Sequence, residues 1–359
     1  MVLHGRGFRR TFALVITTTE QRQQLGMKRL REMRMTLVGV LAVAAVLPTA
    51  AQELKAPKIS GLVNARYAWS DKEGETHGFD IRRVRLAADG VLSDKLDYKF
   101  QAEYETSVKV IDAFLRWKIA PEVNVQIGEY KVQYSQETLY GPATWLTIEN
   151  PAAVAKLNGY SDLSGLKANG RDVGVTLYGD LFNKVISYRV GVFNGNGINT
   201  KDDNDKKDFA GLLWFRPLKE LAFSVGHYQG AYGAKGDEHV RIRTSAGVEY
   251  KDERLTLRGE YLNGYTAGQK SDGAYATAAY WVSKAVQPVV SVDYFKADRD
   301  GDERLRVGEQ SSGMKQWNYQ VGVNVIPIKK LRIQAAYTYT NNKVARDVSQ
   351  FETQFILQF

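Results

Sequence analysis

The last nine residues, FETQFILQF, alternate apolar and polar side chains. Phe351, Thr353, Phe355, Leu357 and Phe359 share one parity, and the other parity is mostly polar. Because successive side chains of a strand point to opposite faces, this pattern predicts a strand with one apolar and one polar face. Such a strand at the end of a chain needs a pairing partner for its free edge.

The same alternation recurs along the chain from residue 59 onward, in segments of about ten residues separated by turn signals. We count sixteen of them: 59–70, 79–91, 95–106, 108–119, 123–131, 171–180, 184–194, 208–216, 220–231, 239–250, 254–263, 273–283, 286–296, 316–326, 330–340 and 350–359. The frequent Tyr (20) and Gly (32) and the few Pro (8) suit strands and tight turns better than helices.

The connections between these segments alternate in length. One set is short, such as SDK at 93–95 and PIKK at 327–330, and the other is mostly long, up to residues 132–170; only TSV at 106–108 breaks the rule. Tight turns at one end and long loops at the other are typical of an up-and-down barrel in the outer membrane. The sequence therefore predicts an all-β, sixteen-stranded antiparallel transmembrane barrel.

The two faces of each segment agree with this prediction. In 95–105 and in 330–340 one face is apolar and the other carries mostly charged, amide or hydroxyl side chains, which are too polar for a packed core. Sixteen strands enclose a channel that such side chains can line, while the apolar face meets lipid. We expect the last strand to pair with the first and the ring of Phe359 to join an aromatic girdle.

The N-terminal part reads as a leader. Basic residues from Met27, an apolar run from Met35 and small residues up to Ala51 predict a signal peptide over 27–51, with a single anchoring helix as the alternative. Residues 1–26 are then an extended leader or are not translated. Without residues 1–51 the chain has 41 basic and 38 acidic residues, a net charge of +3, so the support for nucleic-acid binding disappears.

Several stretches resemble the phosphate-selective porin O and P family, most specifically FDIRRVRLAADG at 79–90 and YRVGVFNGNG at 188–197, and also RDVGVTLYG at 171–179. The resemblance covers nearly all of the chain after the leader. It implies a homotrimeric porin in the bacterial outer membrane, surrounded by lipid, that passes phosphate or related small anions. It also implies a third outer loop that folds inward, and residues 132–170 occupy that position.

The strand parity directs a set of cations into the lumen, where a guanidinium can donate two hydrogen bonds to a phosphate. The wall candidates are Arg83, Arg85, Lys99, Arg116, Lys118, Arg241 and Arg243, and the loop candidates are Lys156 and Lys167. Arg83 and Arg85, two apart on one strand, are the best placed. The alternative is that these cations pair with lumenal carboxylates and brace the wall, or that the loop lysines are merely solvated.

Other chemistry has less support. Cysteine is absent, which excludes thiol nucleophiles and thiolate metal sites, and no Ser/His/acid spacing indicates an enzyme. We expect no cofactor. Asp298, Asp300 and Asp302 have a calcium-like spacing without the rest of the loop pattern, so they are weak metal candidates. Two alternative functions stay open: a general or nutrient-uptake porin, favoured by the nearly balanced charge, and a surface-exposed adhesin or structural barrel.

Overall fold

The structure of the protein, a computed structural model, describes residues 55–75, 77–166, 168–299, 315–342 and 345–359. The predicted leader segments 1–26 and 27–51 lie outside these residues, as do Lys167, Asp300 and Asp302. Within the described part, no helix is both long enough and apolar enough to cross a membrane.

The described residues form a closed antiparallel barrel in which each strand pairs with its sequence neighbours and β1 pairs with β16. Its strands are β1 Lys58–Ser70, β2 Gly78–Ser93, β3 Leu96–Glu103, β4 Lys109–Ala120, β5 Val123–Lys131, β6 Arg171–Leu181, β7 Ile186–Phe193, β8 Asp208–Leu218, β9 Leu221–Tyr232, β10 His239–Lys251, β11 Leu255–Thr266, β12 Gln269–Tyr280, β13 Val286–Lys296, β14 Lys315–Ile328, β15 Leu331–Asn342 and β16 Val348–Gln358. The predicted sixteen-stranded barrel is confirmed.

Connections at one end of the barrel, the short-turn end, have two to five residues. At the opposite, long-loop end two connections differ from the prediction. The predicted loop 264–272 is mostly strand, because β11 and β12 are joined by Ala267 (φ 48°) and Gly268 (φ 92°), a two-residue hairpin with both φ angles positive. The predicted three-residue break at 106–108 is a five-residue connection, 104–108, since β3 ends at Glu103.

Barrel closure is visible at the last residue. The backbone N–H of Gly61 donates to the carbonyl of Phe359 (2.9 Å) and the N–H of Phe359 donates to the carbonyl of Gly61 (3.1 Å). A Cβ on Gly61 would come within 2.2 Å of the Phe359 ring, so the ring lies directly over the glycine. This packing of an aromatic ring on a strand glycine pins the register at the closing pair of strands.

The outer surface carries the apolar parity, as predicted. On β9, for example, Phe223 and Val225 are exposed whereas Ser224 is buried. Aromatic side chains line the outer surface near the long-loop end, where the Tyr294 and Trp317 ring centroids lie 4.7 Å apart. An exposed apolar band bordered by aromatic side chains is the surface that a barrel presents to lipid and its interfaces.

Residues 132–170 join β5 to β6 and contain two short helices, α1 (Gln136–Leu139) and α2 (Ala152–Leu157). Ala153, Val154 and Leu157 of α2 are buried. They belong to an apolar cluster with barrel residues, among them Leu262 and Phe295. This connection therefore has a packed core of its own against the wall instead of extending into solvent.

Candidate anion site in the pore

The connection 132–170 is anchored to β11. Glu260 accepts hydrogen bonds from Ser135 Oγ (2.8 Å) and from the backbone N–H of Gln136 (3.0 Å). Arg258 forms ion pairs with Glu137 of α1 (3.1 Å) and with Glu249 of β10 (2.8 Å). The alternating side chains of β11, such as Leu257, are exposed on the outer surface, so these anchors belong to its other, lumenal face.

The same connection reaches strands far from β11 in the barrel. Arg332 of β15 donates to the carbonyls of Ala143 (3.1 Å) and Trp145 (2.8 Å), and Asn324 of β14 donates to the carbonyl of Leu146 (3.2 Å). A segment that contacts the lumenal faces of such widely separated strands of a closed cylinder runs through its interior. It narrows the channel that the wall encloses.

Three guanidiniums of β2 face this narrowed region, and we call Arg82, Arg83 and Arg85 the arginine wall. Asn64 of β1 pairs with Arg83 and Ala65 pairs with Ile81, so Arg82 is the extra residue of a β-bulge. A bulge places two residues opposite one and interrupts the strict alternation of faces. Arg82 consequently joins the other two on the lumenal side, where it forms an ion pair with Glu149.

A basic cavity of about 250 Å³ lies between the arginine wall and the connection 132–170. Besides the arginine wall, its cationic lining residues are Lys109, Lys131 and Arg171. Its acidic lining residues are Glu103 and Glu105, so cations exceed carboxylates by six to two. Tyr160 of the connection also lines it, and burial raises the pKa of this phenol, which keeps the hydroxyl protonated as a donor.

The cations that line the basic cavity differ in whether they already have partners in the protein, and this decides how freely each can bind an anion. Arg85 is paired with Glu103 (2.6 Å), Arg171 with Asp112 (3.0 Å), and Lys131 donates to the carbonyl of Thr138 (2.7 Å). Arg83 has no ion pair among the described residues, and its guanidinium lies 5.1 Å from the centroid of the Trp145 ring.

Two buried donors of the arginine wall are without hydrogen-bond partners in the described structure, Nη1 of Arg83 and Nε of Arg82. An unsatisfied buried donor costs about 1–3 kcal/mol. An anion in the basic cavity would satisfy these donors. The arrangement is that of an anion site whose ligand supplies the missing acceptors.

Three other predicted wall cations are placed in the lumen but are paired with carboxylates. Arg116 and Lys118 of β4 both contact Asp97 (2.6 and 2.7 Å), and Lys99 contacts Asp89 (3.2 Å). These pairs lie toward the short-turn end, away from the arginine wall. Their geometry is that of bracing pairs, the alternative considered from the sequence.

Arg241 and Arg243 of β10 are buried and contact carboxylates and backbone carbonyls, and Nε of Arg241 has no hydrogen-bond partner in the described structure. Arg241 contacts Asp208 (3.0 Å) and the carbonyl of Gly195 (3.1 Å). Arg243, with 1% of its surface exposed, contacts Asp162 (3.2 Å) and the carbonyl of Leu157 (3.2 Å). The two arginines hold loop segments against the wall, and neither of them lines the basic cavity, which distinguishes them from Arg83.

Lys156, the loop candidate in the described part, lies at the end of α2 and lines a second cavity, apart from the basic cavity. Burial lowers its pKa. No group of His, Cys, Asp and Glu side chains able to hold a metal ion occurs among the described residues.

Arg82, Lys131 and Arg171 were not among the residues selected from the sequence. Arg82 is excluded by strict alternation and becomes lumenal through the bulge. Lys131 and Arg171 are the last residue of β5 and the first residue of β6, and they pair with each other across those strands. Their positions in the sequence, one at each end of the longest connection, were the signal that could have identified Lys131 and Arg171.

A closed sixteen-stranded barrel with an apolar outer band, a charged lumen and an inward connection defines a porin of the bacterial outer membrane. The family model "Phosphate-selective porin O and P" matches residues 63–280, more than half of the 359-residue chain. The chain belongs to the phosphate-selective porin O and P family, as the sequence resemblance predicts. The family and the fold are those of channel proteins.

Solved structures of porins and outer-membrane channels share the fold of this chain. The anion-selective porin from Comamonas acidovorans matches with a TM-score of 0.66 and 15% identity, covering 85% of this chain and 99% of that chain. The outer membrane channel DcaP of Acinetobacter baumannii matches with a TM-score of 0.63 and 12% identity, covering 84% of this chain and 97% of that chain. Salmonella typhi OmpF, in a complex with daunomycin, matches with a TM-score of 0.62 and 13% identity, covering 84% of this chain and 97% of that chain. The search of curated proteins found no match.

Proposed function

We propose that this porin is a passive, water-filled channel that prefers anions and binds phosphate in the basic cavity. The observation that supports this proposal most directly is that Nη1 of Arg83 is a buried guanidinium donor without a partner in the described structure. Arg83 lines a cavity in which basic residues outnumber acidic residues by six to two. A planar guanidinium can donate two hydrogen bonds to two phosphate oxygens and keeps its charge at all physiological pH values.

In this proposal Arg83 is the primary ligand, and Arg82 and Arg85 contribute hydrogen bonds and positive potential. Arg85 and Arg82 already pair with Glu103 and Glu149, so an anion shares them with those carboxylates. Such shared contacts let an ion replace part of its hydration shell without being trapped, as conduction requires. Lys99, Arg116 and Lys118 would act through their field, because Asp89 and Asp97 hold them. Arg241, Arg243 and Lys156 would contribute mainly to the position of the connection 132–170.

The proposal extends to processing and assembly. Residues 27–51 would be removed as a signal peptide, and residues 52–359 would form the barrel in contact with outer-membrane lipid. A homotrimer is supported by analogy, since one protein of similar fold, OmpT of Vibrio cholerae, has been solved in a trimer form. Lys167 belongs to the proposed constriction only by its place in the sequence.

Planar-bilayer recording of the purified protein tests the proposal. Under a potassium chloride gradient the reversal potential should have the sign of anion preference, and added phosphate should reduce the chloride current. Arg83→Ala should weaken phosphate block about 10- to 100-fold, which corresponds to one charge-assisted hydrogen bond of about 1.5–3 kcal/mol. Arg116→Ala is the matched control, a lumenal arginine whose loss leaves Lys118 beside Asp97.

A general or nutrient-uptake porin is the second candidate, and the many ion pairs of the lumen favour it, because they leave little free charge. Weak or cationic selectivity with no phosphate block would support that reading and overturn the first. A barrel that conducts no ions would instead indicate a structural or adhesive role.

A further inference from the structure

A second cavity of about 250 Å³ lies between α2 and the lumenal faces of β13 to β16, and its lining differs from that of the basic cavity. We call it the hydroxyl cavity, because hydroxyl and carboxamide side chains dominate it: Ser291, Gln316, Asn318, Gln320, Thr338 and Thr340. Glu149, Asp293 and Glu352 add carboxylates, and Lys156 is its cation. Three carboxylates against one ammonium make this cavity unfavourable for a free anion.

The hydroxyl cavity suits a ligand that donates and accepts hydrogen bonds at many points. Gln320 Nε2 donates to Thr338 Oγ1 (2.9 Å) and Thr340 Oγ1 donates to Asn318 Oδ1 (2.7 Å). These contacts fix the orientation of the side chains and leave them further capacity, because a carboxamide has two donors and two acceptor lone pairs. The hydroxyl groups of a polyol match such a surface, since each one both donates and accepts.

One atom of the lining needs a donor. Asn150 lies in the connection just before α2 and lines the hydroxyl cavity, and its Oδ1 is buried without a hydrogen-bond partner in the described structure. A ligand hydroxyl would satisfy this oxygen by donating to it, whereas an unprotonated phosphate oxygen can only accept.

An ion pair joins a residue that lines the hydroxyl cavity to a residue that lines the basic cavity. Glu149 lines the hydroxyl cavity, Arg82 lines the basic cavity, and the carboxylate of the first contacts the guanidinium of the second. Arg66 of β1 also approaches Glu149 (3.7 Å), so the pair is part of the lumenal wall. A solute with an anionic head and a hydroxylated body could therefore place the head at the arginine wall and the body in the hydroxyl cavity.

From this juxtaposition we propose that the channel binds phosphate monoesters of polyols in preference to inorganic phosphate. The phosphate group binds Arg83 and its neighbours in the arginine wall, and the sugar or glycerol hydroxyls bind Gln320, Thr338 and Asn150. This inference rests on the proposed function, because it uses the same phosphate site and adds the chemistry of the rest of the solute.

The test compares three probes as blockers of chloride current in planar bilayers: inorganic phosphate, glucose 6-phosphate and glucose. We expect glucose 6-phosphate to block at a concentration about fivefold or more below that of phosphate, since each added hydrogen bond contributes modestly. Glucose alone should block weakly, because it lacks the head that binds the arginine wall.

Variants localise the effect. Gln320→Ala should raise the blocking concentration of glucose 6-phosphate to that of phosphate and leave the phosphate value unchanged within about twofold. Thr338→Val is nearly isosteric and should show the same trend if Gln320→Ala fails to assemble. Gln101→Ala, a carboxamide on β3 outside both cavities, is the matched control and should change neither value.

The outcomes separate the two proposals. If phosphate blocks and depends on Arg83, but glucose 6-phosphate is no better or is insensitive to both Gln320→Ala and Thr338→Val, then the polyol inference is wrong and the anion site stands. If phosphate itself does not block and the channel has no anion preference, both proposals fail.

Discussion

The substitution Arg243→Met separates the anchoring of the connection from anion binding. Arg243 has 1% of its surface exposed and donates to the carbonyls of Ile242 (2.9 Å), Tyr265 (2.8 Å) and Leu157 (3.2 Å) besides its ion pair with Asp162 (3.2 Å). Met replaces the aliphatic part of the arginine side chain and has no charge, so it removes the pair while keeping most of the packing volume.

The expected cost follows from the partner that remains. Breaking a buried ion pair by removing one member destabilises by about 3–5 kcal/mol, because the other charge is left uncompensated. Burial on its own would raise the pKa of Asp162, but the guanidiniums of Arg243 and Arg241 and the contacts of Ser164 hold that pKa below its ordinary value. Without Arg243 the pKa of Asp162 rises, and protonation relieves part of the cost at low pH.

Single-channel recording and heat-dependent gel migration measure the effect. We expect Arg243→Met to give larger and noisier conductance steps, since the stretch around Leu157 loses its hold on β10 and the constriction widens. The folded band should convert at a lower temperature. Adding Asp162→Asn should recover part of that loss, because the pair is then absent from both sides. Arg116→Met, at the partly exposed pair with Asp97, is the control and should have a much smaller effect.

One result would contradict this reasoning. If Arg243→Met abolishes phosphate block while conductance and heat stability stay at the wild-type values, Arg243 is an anion ligand, as its lumenal parity alone suggested. Its hydrogen bonds to the connection would then have no measurable function.

Three further predictions can be tested in the same assays. Glu149→Gln removes the carboxylate that neutralises Arg82 and should strengthen phosphate block, whereas unchanged block would mean that Arg82 takes no part in the site. Gly61→Val places a side chain where the Phe359 ring lies and should lower the temperature at which the folded gel band is lost; an unaltered temperature would contradict the closure argument. Because burial lowers the pKa of Lys156, its charge is present below that pKa and is lost at a lower pH than for an exposed lysine. Anion preference measured by reversal potential should therefore decline slightly as the pH rises into the alkaline range, and Lys156→Met should reduce this decline, the remainder coming from other lumenal lysines such as Lys109 and Lys131.

Much of the fold follows from the sequence because the lipid and the lumen impose opposite chemistries on alternate residues. On β15, Leu331, Ile333 and Ala335 share one parity and lie on the outer, apolar surface of the barrel. Gln334 has the opposite parity and is buried on the lumenal side. Turn chemistry was harder to predict. Ala267 has a positive φ (48°), which its residue type does not suggest, so the tight hairpin between β11 and β12 resembled a longer loop.

The site was less predictable, because it depends on departures from regular geometry. Arg83 and Arg85 follow from alternation, whereas Arg82 reaches the lumen through one extra residue opposite Asn64 and Ala65. Periodicity contains no information about such a bulge, which arises from pairing with a strand elsewhere in the sequence.

The path of the connection 132–170 is also set by distant partners, since Arg258 and Arg332 hold it from strands more than a hundred residues away in the chain. The alternation of faces predicts that all these cations point into the lumen, but it does not show which of them are already paired with protein groups. Arg243 is paired with Asp162 of the connection and Arg116 is paired with Asp97, whereas Arg83 has a buried donor without a partner in the described structure. The number of cations in a porin lumen is therefore a poor guide to selectivity, and the physically relevant donors are those left without a protein partner beside a cavity rich in basic residues.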